Sequence, residues 1–169
     1  SYGSIGQYFI NGSVTAATGL IIPPLAELLA GDLTTAGQTA LLFTVTYADD
    51  IAVDVATLDS QDIRVTGPNN FDRLAQFMGV EPAVSGSTLV ATYSLAPPDG
   101  LLWSSADNGT YTVGIRANAV ADTAGAKVPE GPLGRFEVTV PKALYLANMD
   151  ESPGWRLDSQ WAYGAPRYP

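Results

Sequence analysis

The stretch that most constrains the fold covers residues 107–115. It opens with an Asp-Asn-Gly turn and continues as an alternating segment, with Tyr111, Val113 and Ile115 on one face. Alternation with a period of two is typical of a β-strand that is buried on one side. The stretch therefore predicts a turn followed by a strand with one buried face.

Other alternating segments indicate further strands on both sides of this stretch. Four side chains share one face of the segment 40–47: Leu41, Phe43, Val45 and Tyr47. Strands are predicted over residues 40–47, 63–66, 74–80, 88–95, 111–116 and 135–140, while residues 25–30 form either a helical turn or the first strand. Residues 48–62 and 117–133 are predicted loops. The chain is therefore expected to be all-β, with a sandwich over residues 25–141 between extensions at 1–24 and 142–169.

The combination of Asp107, Gly109 and Tyr111 resembles the tyrosine corner of immunoglobulin-like (Ig-like) β-sandwiches, where the hydroxyl of a Tyr in strand F bonds upstream backbone. The resemblance implies an Ig-like antiparallel sandwich of about seven strands. Antibody domains have a cysteine two residues after this Tyr, where the present chain has Val113. Contact between strands B and F is therefore assigned to apolar packing of four side chains: Phe43, Val45, Tyr111 and Val113. Trp103 is expected to cap one end of the core.

The composition excludes several classes of function. The 169 residues contain no cysteine and no histidine, which removes disulfides, Cys-zinc sites, Ser-His-Asp triads and the commonest general base. The formal net charge of −9 argues against a basic surface that binds nucleic acid or an anionic membrane. No apolar run approaches the roughly 20 residues that cross a bilayer. No signal peptide is visible, and the chain reads as a piece of a longer precursor.

Residues 41–140 resemble the Ig-like repeats of large secreted bacterial proteins. The segments that carry this resemblance are 43–47, 48–54, 57–67, 106–113 and 120–125. In that family such modules are non-catalytic spacers or adhesive repeats, some of them attached to secreted peptidases. Residues 1–8 look similar to the end of a preceding domain in secreted proteases. Segments 148–155 and 161–166 look like the opening of a following jelly-roll module.

The acidic segment after the second strand is the main candidate for a bound ligand. In an Ig topology the B–C and F–G loops lie at the same end of the sandwich. This would bring Asp49, Asp50 and Asp54 near Asp122, with Asn118 close by. Calcium takes six to eight oxygen ligands and suits carboxylates on loops. Calcium is therefore the expected cofactor, against the alternative that these aspartates only form solvated turns.

Other polar and aromatic groups give weaker signals. Trp155 and Trp161 in the C-terminal extension could stack on a sugar, or they could be core residues of a neighbouring module. A carboxylate pair drawn from Asp150, Glu151 and Asp158 is the pattern of a glycosidase, but nothing nearby predicts a cleft. The only lysines, Lys127 and Lys142, could in principle form an isopeptide bond, although no apolar pocket around them is predicted.

The leading hypothesis is therefore a non-enzymatic Ig-like spacer or interaction module of a secreted multidomain protein. In one form of this hypothesis the module is accessory to a peptidase domain of the same protein. The alternatives are a carbohydrate-binding module that uses the C-terminal aromatic residues and an adhesin repeat that calcium makes rigid. The expected partners are neighbouring domains of the same polypeptide and a protein or glycan at the cell surface. Nucleic acid and membrane insertion are not expected. The module is expected to be monomeric and extracellular.

Overall fold

The structure is a computed structural model that describes residues 22–142. Most of the two predicted extensions, 1–24 and 142–169, lies outside these residues. The described part contains eight strands: β1 (Leu25–Leu29), β2 (Leu41–Val53), β3 (Ile63–Gly67), β4 (Phe71–Leu74), β5 (Gln76–Glu81), β6 (Gly86–Leu95), β7 (Gly109–Ile115) and β8 (Gly131–Val138). Two short 3₁₀ turns, Val55–Thr57 and Ser105–Asp107, lie between strands. The all-β prediction is confirmed.

The strands form two four-stranded antiparallel sheets. One sheet has the order β1-β2-β6-β5 and the other has the order β4-β3-β7-β8. In immunoglobulin lettering these orders are A-B-E-D and C′-C-F-G, which is the sandwich arrangement with one added strand on the second sheet. The segment 25–30 is a strand and not a helical turn, because Ala26 and Leu28 pack against the core while β1 pairs with β2.

The inner faces of both sheets form one hydrophobic core. Phe43 and Val45 from β2 lie in the same buried cluster as Tyr111 and Val113 from β7. Alternate residues of β2 and β7 are buried, because successive side chains of a strand point to opposite faces. Burying a large apolar side chain contributes roughly 1.5–3 kcal/mol. The B–F contact is therefore apolar, as expected for a chain without a disulfide.

The second strand is longer than the alternation predicts. Residues 48–53 were expected to form a loop but belong to β2, with a bulge between Ala48 and Val53. The carboxylate of Asp49 accepts hydrogen bonds from the backbone N–H groups of Ile51 and Ala52, which supports this irregular segment. The backbone of Ala52 also accepts a hydrogen bond from Thr123 in the F–G connection. Tertiary pairing therefore extends the strand beyond the point where its periodicity stops.

Two other strand boundaries differ from the sequence prediction. The strand predicted over residues 74–80 is confirmed as β5 from Gln76 onward, but Leu74 is the last residue of β4, and the chain passes from one sheet to the other at the buried Ala75. The N–H of Ala75 donates to the carbonyl of Ile63, which holds this crossing point against β3. The last strand starts at Gly131 instead of residue 135, because the backbone of residues 131–134 also pairs with β7. These residues include two glycines and a proline, so they show no alternation in the sequence.

The chain enters and leaves the sandwich at opposite ends. We call the end formed by residues 48–62 and 116–130 the acidic end, and the end formed by residues 96–108 the corner end. β1 starts at the acidic end, where Leu25 pairs with Ala48. The chain leaves at the corner end, where the backbone N–H and C=O of Val140 both bond the side-chain amide of Asn108. The length of the sandwich therefore separates the two points at which the chain continues.

Candidate functional site

Tyr111 forms a tyrosine corner at the corner end of the sandwich. Its hydroxyl donates to the backbone carbonyl of Asp107 at 2.9 Å. The carboxylate of Asp107 in turn accepts from the N–H and the hydroxyl of Ser104, which fixes the short turn that presents this carbonyl. Gly109 has φ +144°, and a Cβ there would lie 2.5 Å from Cγ of Pro68. Burial, with the nearby Asp107 second, raises the pKa of Tyr111 to about 12.

The ring of Tyr111 is enclosed by aromatic side chains. It stacks on Phe136 with centroids 5.1 Å apart and meets the edges of Phe71 and Trp103 at 5.3 and 5.5 Å. Trp103 is fully buried and closes the corner end of the core, where its backbone bonds residues 37 and 38. Aromatic pairs in these geometries add roughly 0.5–1.5 kcal/mol each beyond their buried area. The corner is therefore a structural anchor whose hydroxyl is occupied and shielded from solvent.

A glycine that the sequence reasoning missed makes room for this ring. A Cβ on Gly67 would lie 2.5 Å from Cδ1 and 2.6 Å from Cε1 of Tyr111. No side chain larger than hydrogen fits there unless the ring moves. The sequence marks Gly67 only as part of a turn, because a close approach between strands that are distant in sequence leaves no local pattern.

The four aspartates predicted to bind calcium lie at or near the acidic end. The backbone N–H of Asp54 donates to the carbonyl of Ala121, and Asp122 forms a bridge with Val53, so the two connections are adjacent. Asp49 and Asp50 lie in the extended part of β2, and Asp50 is exposed. Asp54 accepts from the N–H of Ala56 and caps a 3₁₀ turn. The B–C and F–G connections therefore meet, but each aspartate has its own local surroundings.

The buried Asp122 organises the F–G connection. It is 2% exposed, and its Oδ1 accepts from the backbone N–H groups of Ala124 and Ala126, both at 2.8 Å. Its Oδ2 and the Oδ1 of Asp49 are buried without a hydrogen-bond partner among residues 22–142. In the same part of the chain, no group of three or more acidic side chains lies close enough together to hold a metal ion.

Another buried carboxylate, which the sequence reasoning did not single out, lies between the two sheets. Asp62 precedes β3 and is 1% exposed. Its Oδ2 accepts from the hydroxyl of Tyr93 on the opposite sheet and from the N–H of Asp59, both at 2.8 Å. The hydroxyls of Tyr93 and Tyr47 lie 3.2 Å apart, which extends the chain of polar groups. A buried carboxylate of this kind has no periodic signal in the sequence.

Burial controls the ionisation of this network. Removal from water raises the pKa of Asp62 to about 6, and the hydrogen bonds from the backbone N–H of Asp59 and the hydroxyl of Tyr93 oppose the rise, while the side chain of Asp59 adds to it. Burial also raises the pKa values of Tyr47 and Tyr93 above the ordinary range for a phenol. Both phenols therefore stay neutral, and Asp62 is the group whose charge changes near neutral pH.

The outer face of the β3-β7-β8 sheet carries a shallow hollow of about 430 Å³. Arg64 and Arg116 line it, together with Glu130 and several small residues. Arg64 forms an exposed ion pair with Asp72, and Arg116 bonds the backbone and side-chain oxygens of Gln61. Glycosidases need a second carboxylate, but Glu130 is the only carboxylate among the described residues that line the hollow. The hollow does not assemble a nucleophile with a base.

Several predicted site residues fall outside residues 22–142. They are Trp155 and Trp161 of the proposed sugar-binding surface and the carboxylates Asp150, Glu151 and Asp158. Of the two lysines, Lys127 is exposed in the F–G connection, and Lys142 is the last described residue. Within the described range no helix is long and apolar enough to span a membrane.

Comparison with known proteins gives limited information. No protein-family profile and no curated protein matches the chain. Among solved structures, surface layer protein SbsC, domains 1–6, matches at 22% identity with a TM-score of 0.37. That match covers 66% of this chain and 13% of the SbsC chain. The TM-score is too low to show a shared fold.

Proposed function

We propose that this chain is a non-catalytic spacer module of an extracellular multidomain protein, with neighbouring domains of the same polypeptide as its immediate partners. The observation that carries the proposal is that the chain enters at the acidic end and leaves at the corner end. Leu25 pairs with Ala48 near the first, while Val140 bonds Asn108 near the second. A module of this geometry holds its neighbours apart by its own length. A more specific form of the proposal is that the module also binds a protein or glycan at the cell surface.

The polar groups of the described residues support a structural role. The Tyr111 hydroxyl is bonded to Asp107, and the Asp62 carboxylate is bonded to Tyr93, so both are occupied inside the core. The whole chain lacks histidine and cysteine, which are the side chains most often used as general base and thiol nucleophile. The bond between Asp62 and Tyr93 joins the two sheets, and the bond between Tyr111 and Asp107 holds the turn before β7.

Small-angle scattering tests the spacer geometry. β2 alone has 13 residues, and at roughly 3.3 Å per residue such a strand is about 40 Å long. Two copies of the full chain joined in tandem should have a maximum dimension at least about 40 Å greater than one copy. A tandem protein no longer than a single copy would contradict the proposal. Genuine turnover of peptides or glycosides by the purified chain would also contradict it.

Calcium binding at the acidic end is a second candidate role. It is favoured by the Oδ2 of Asp122 and the Oδ1 of Asp49, which are buried without a hydrogen-bond partner among residues 22–142 and lie at the same end of the sandwich. Two carboxylates would need backbone carbonyls or water to complete the six to eight oxygen ligands of calcium. Bound calcium would hold the two connections together and make the junction with a preceding domain more rigid.

A further inference from the structure

The hollow on the outer face of the β3-β7-β8 sheet has the opposite charge balance to the rest of the chain. Its charged and small lining residues include Arg64, Thr66, Thr112, Gly114, Arg116 and Glu130. We call this set the arginine hollow. It carries two positive charges against one negative charge, whereas the whole chain has 17 acidic and 8 basic residues. The arginine hollow is therefore a place where an anion is attracted to an otherwise acidic protein.

The strand register explains why the hollow lies here. Thr66 on β3 is opposite Thr112 on β7, and Arg64 is opposite Gly114, so the four positions are neighbours on the sheet. Arg64 and both threonines face outward, because the alternate positions of β3 and β7 are buried. Gly114 has no side chain, and a Cβ there would lie 3.1 Å from the carbonyl oxygen of Gly131. The missing side chain opposite Arg64 therefore leaves a recess that a larger residue would fill.

The guanidinium group of Arg116 is held on one side and open on the other. Its Nη1 donates to the backbone carbonyl of Gln61 at 3.0 Å and to Oε1 of the same residue at 3.2 Å. An arginine has five N–H donors, so three remain on Nε and Nη2. No acceptor among residues 22–142 bonds either of these two atoms. Nε and Nη2 form an edge that binds a carboxylate through two parallel hydrogen bonds.

Arg64 shows what such an edge binds in this protein. Its Nε and Nη2 donate to the two carboxylate oxygens of Asp72 on β4. Arg116 presents the same edge, but it forms no ion pair with any carboxylate in the described part of the chain. A carboxylate supplied by a ligand can therefore bind Arg116 in the way that Asp72 binds Arg64.

The other polar groups of the arginine hollow indicate what else the ligand contains. Thr66 and Thr112 supply hydroxyl groups, and Glu130 supplies a carboxylate acceptor. These groups match the hydroxyl groups of a sugar, while the charge of Glu130 repels a ligand with many negative charges such as nucleic acid. The volume of about 430 Å³ falls within the range of roughly 300–1,000 Å³ that is usual for small-molecule sites.

We propose that the arginine hollow binds a carboxylate-bearing sugar, with Arg116 holding the carboxylate through two parallel hydrogen bonds. The hydroxyl groups of Thr66 and Thr112 and the carboxylate of Glu130 then contact the sugar hydroxyls. This inference deepens the more specific form of the proposed function, the binding of a glycan at the cell surface, and it rests on that form. It assigns the binding surface to the sandwich itself and not to Trp155 and Trp161 of the C-terminal extension.

Titration calorimetry on the full chain tests the inference, with a galacturonic acid trisaccharide and sialyllactose as probes. At least one of them should bind, and its methyl ester should not, because esterification removes the charge that Arg116 recognises. Hydrogen bonds to charged groups contribute most, so Arg116→Gln should weaken binding at least ten-fold. Arg116→Lys keeps the charge but lacks the two-donor edge, so it should also weaken binding.

The matched control removes the same charge from the same face of the sheet. Arg135 on β8 is exposed and pairs with Thr112, but it does not line the arginine hollow. Arg135→Gln should therefore keep the affinity of the unmodified chain within about two-fold, as expected for a charge that only adds to a screened surface field. Unfolding in urea should give the same midpoint for both variants, which shows that a loss of binding is not a loss of fold.

The inference is overturned if neither acidic saccharide binds saturably, or if the methyl esters bind as well as the free acids. It is also overturned if Arg116→Gln and Arg135→Gln weaken binding equally, because the attraction would then come from the general charge of the face. Tighter binding of a polyglutamate peptide than of both saccharides would assign the hollow to a protein partner instead. None of these results changes the scattering of the tandem protein, so the spacer role is tested separately.

Discussion

The buried carboxylate of Asp62 should make the protein less stable at neutral pH than in mild acid. Its pKa is about 6 in the folded protein against the ordinary value of 3.8, and burial is the main cause. The folded state therefore binds this proton more tightly than the unfolded state. The stabilising contribution of Asp62 is complete below pH 4 and is lost as the pH rises toward and past 6. Most acidic groups that are paired in a native protein act in the opposite direction.

The size of the effect follows from the shift in pKa. A change from 3.8 to about 6 corresponds to about 3 kcal/mol at most. Unfolding by urea, followed through tryptophan fluorescence, gives the free energy of unfolding at each pH. Asp62→Asn keeps a carbonyl that can accept from Tyr93, but it places an unpartnered amide where Oδ1 lies. That cost is independent of pH, so the difference between the two proteins isolates the titration.

The expected result is a difference in unfolding free energy that changes between pH 4 and pH 6–7 and is flat on both sides. The chain has no histidine, so no imidazole titrates in the same window. Asp99→Asn is the matched control, because Asp99 is exposed and its carboxylate accepts a single backbone bond from Leu101. If Asp62→Asn and the unmodified chain keep a constant difference from pH 4 to 8, the carboxylate is not desolvated as described.

Three further predictions concern the tyrosine corner and the acidic end. Tyr111→Phe should fold normally but lose about 1–2 kcal/mol of unfolding free energy in urea, because the carbonyl of Asp107 loses its buried partner; an unchanged midpoint would show that the bond contributes nothing. Gly67→Ala should cost about 1–3 kcal/mol through overpacking against the ring, whereas Gly31→Ala, which meets no atom within 4 Å, should be nearly neutral. If calcium binds, chelator should lower the melting temperature of the unmodified chain but not of Asp122→Asn; a melting temperature indifferent to chelator removes the calcium role.

Sequence reasoning recovered the strands that have one buried face. The alternation in residues 40–47, 88–95 and 111–116 predicted parts of β2, β6 and β7. A strand with one buried face alternates apolar and polar residues, so the sequence itself shows which side chains face the core. It did not recover the division between β4 and β5 or the start of β8. In those places the sheet changes or the residues are Gly and Pro, so the pairing partner and not the local pattern defines the strand.

The candidate functional features divide in the same way. The turn and the alternation of residues 107–115 single out the stretch around Tyr111. The absence of cysteine and histidine excludes thiol nucleophiles, disulfides and imidazole bases from the sequence alone. The buried Asp62 gave no signal, because it becomes unusual only when the hydroxyl of Tyr93 from the other sheet donates to its carboxylate.

The amino-acid sequence by itself determined that this chain is all-β and that apolar side chains, without a disulfide, hold its layers together. Periodicity and composition can be read directly from the order and the types of the residues, without knowing which segments meet in the fold. The tertiary structure alone decided that the chain enters and leaves at opposite ends, that Gly67 packs against the ring of Tyr111 and that Asp62 is buried away from solvent. Each of these depends on which surfaces meet, and this is settled by packing between segments that are far apart in the chain.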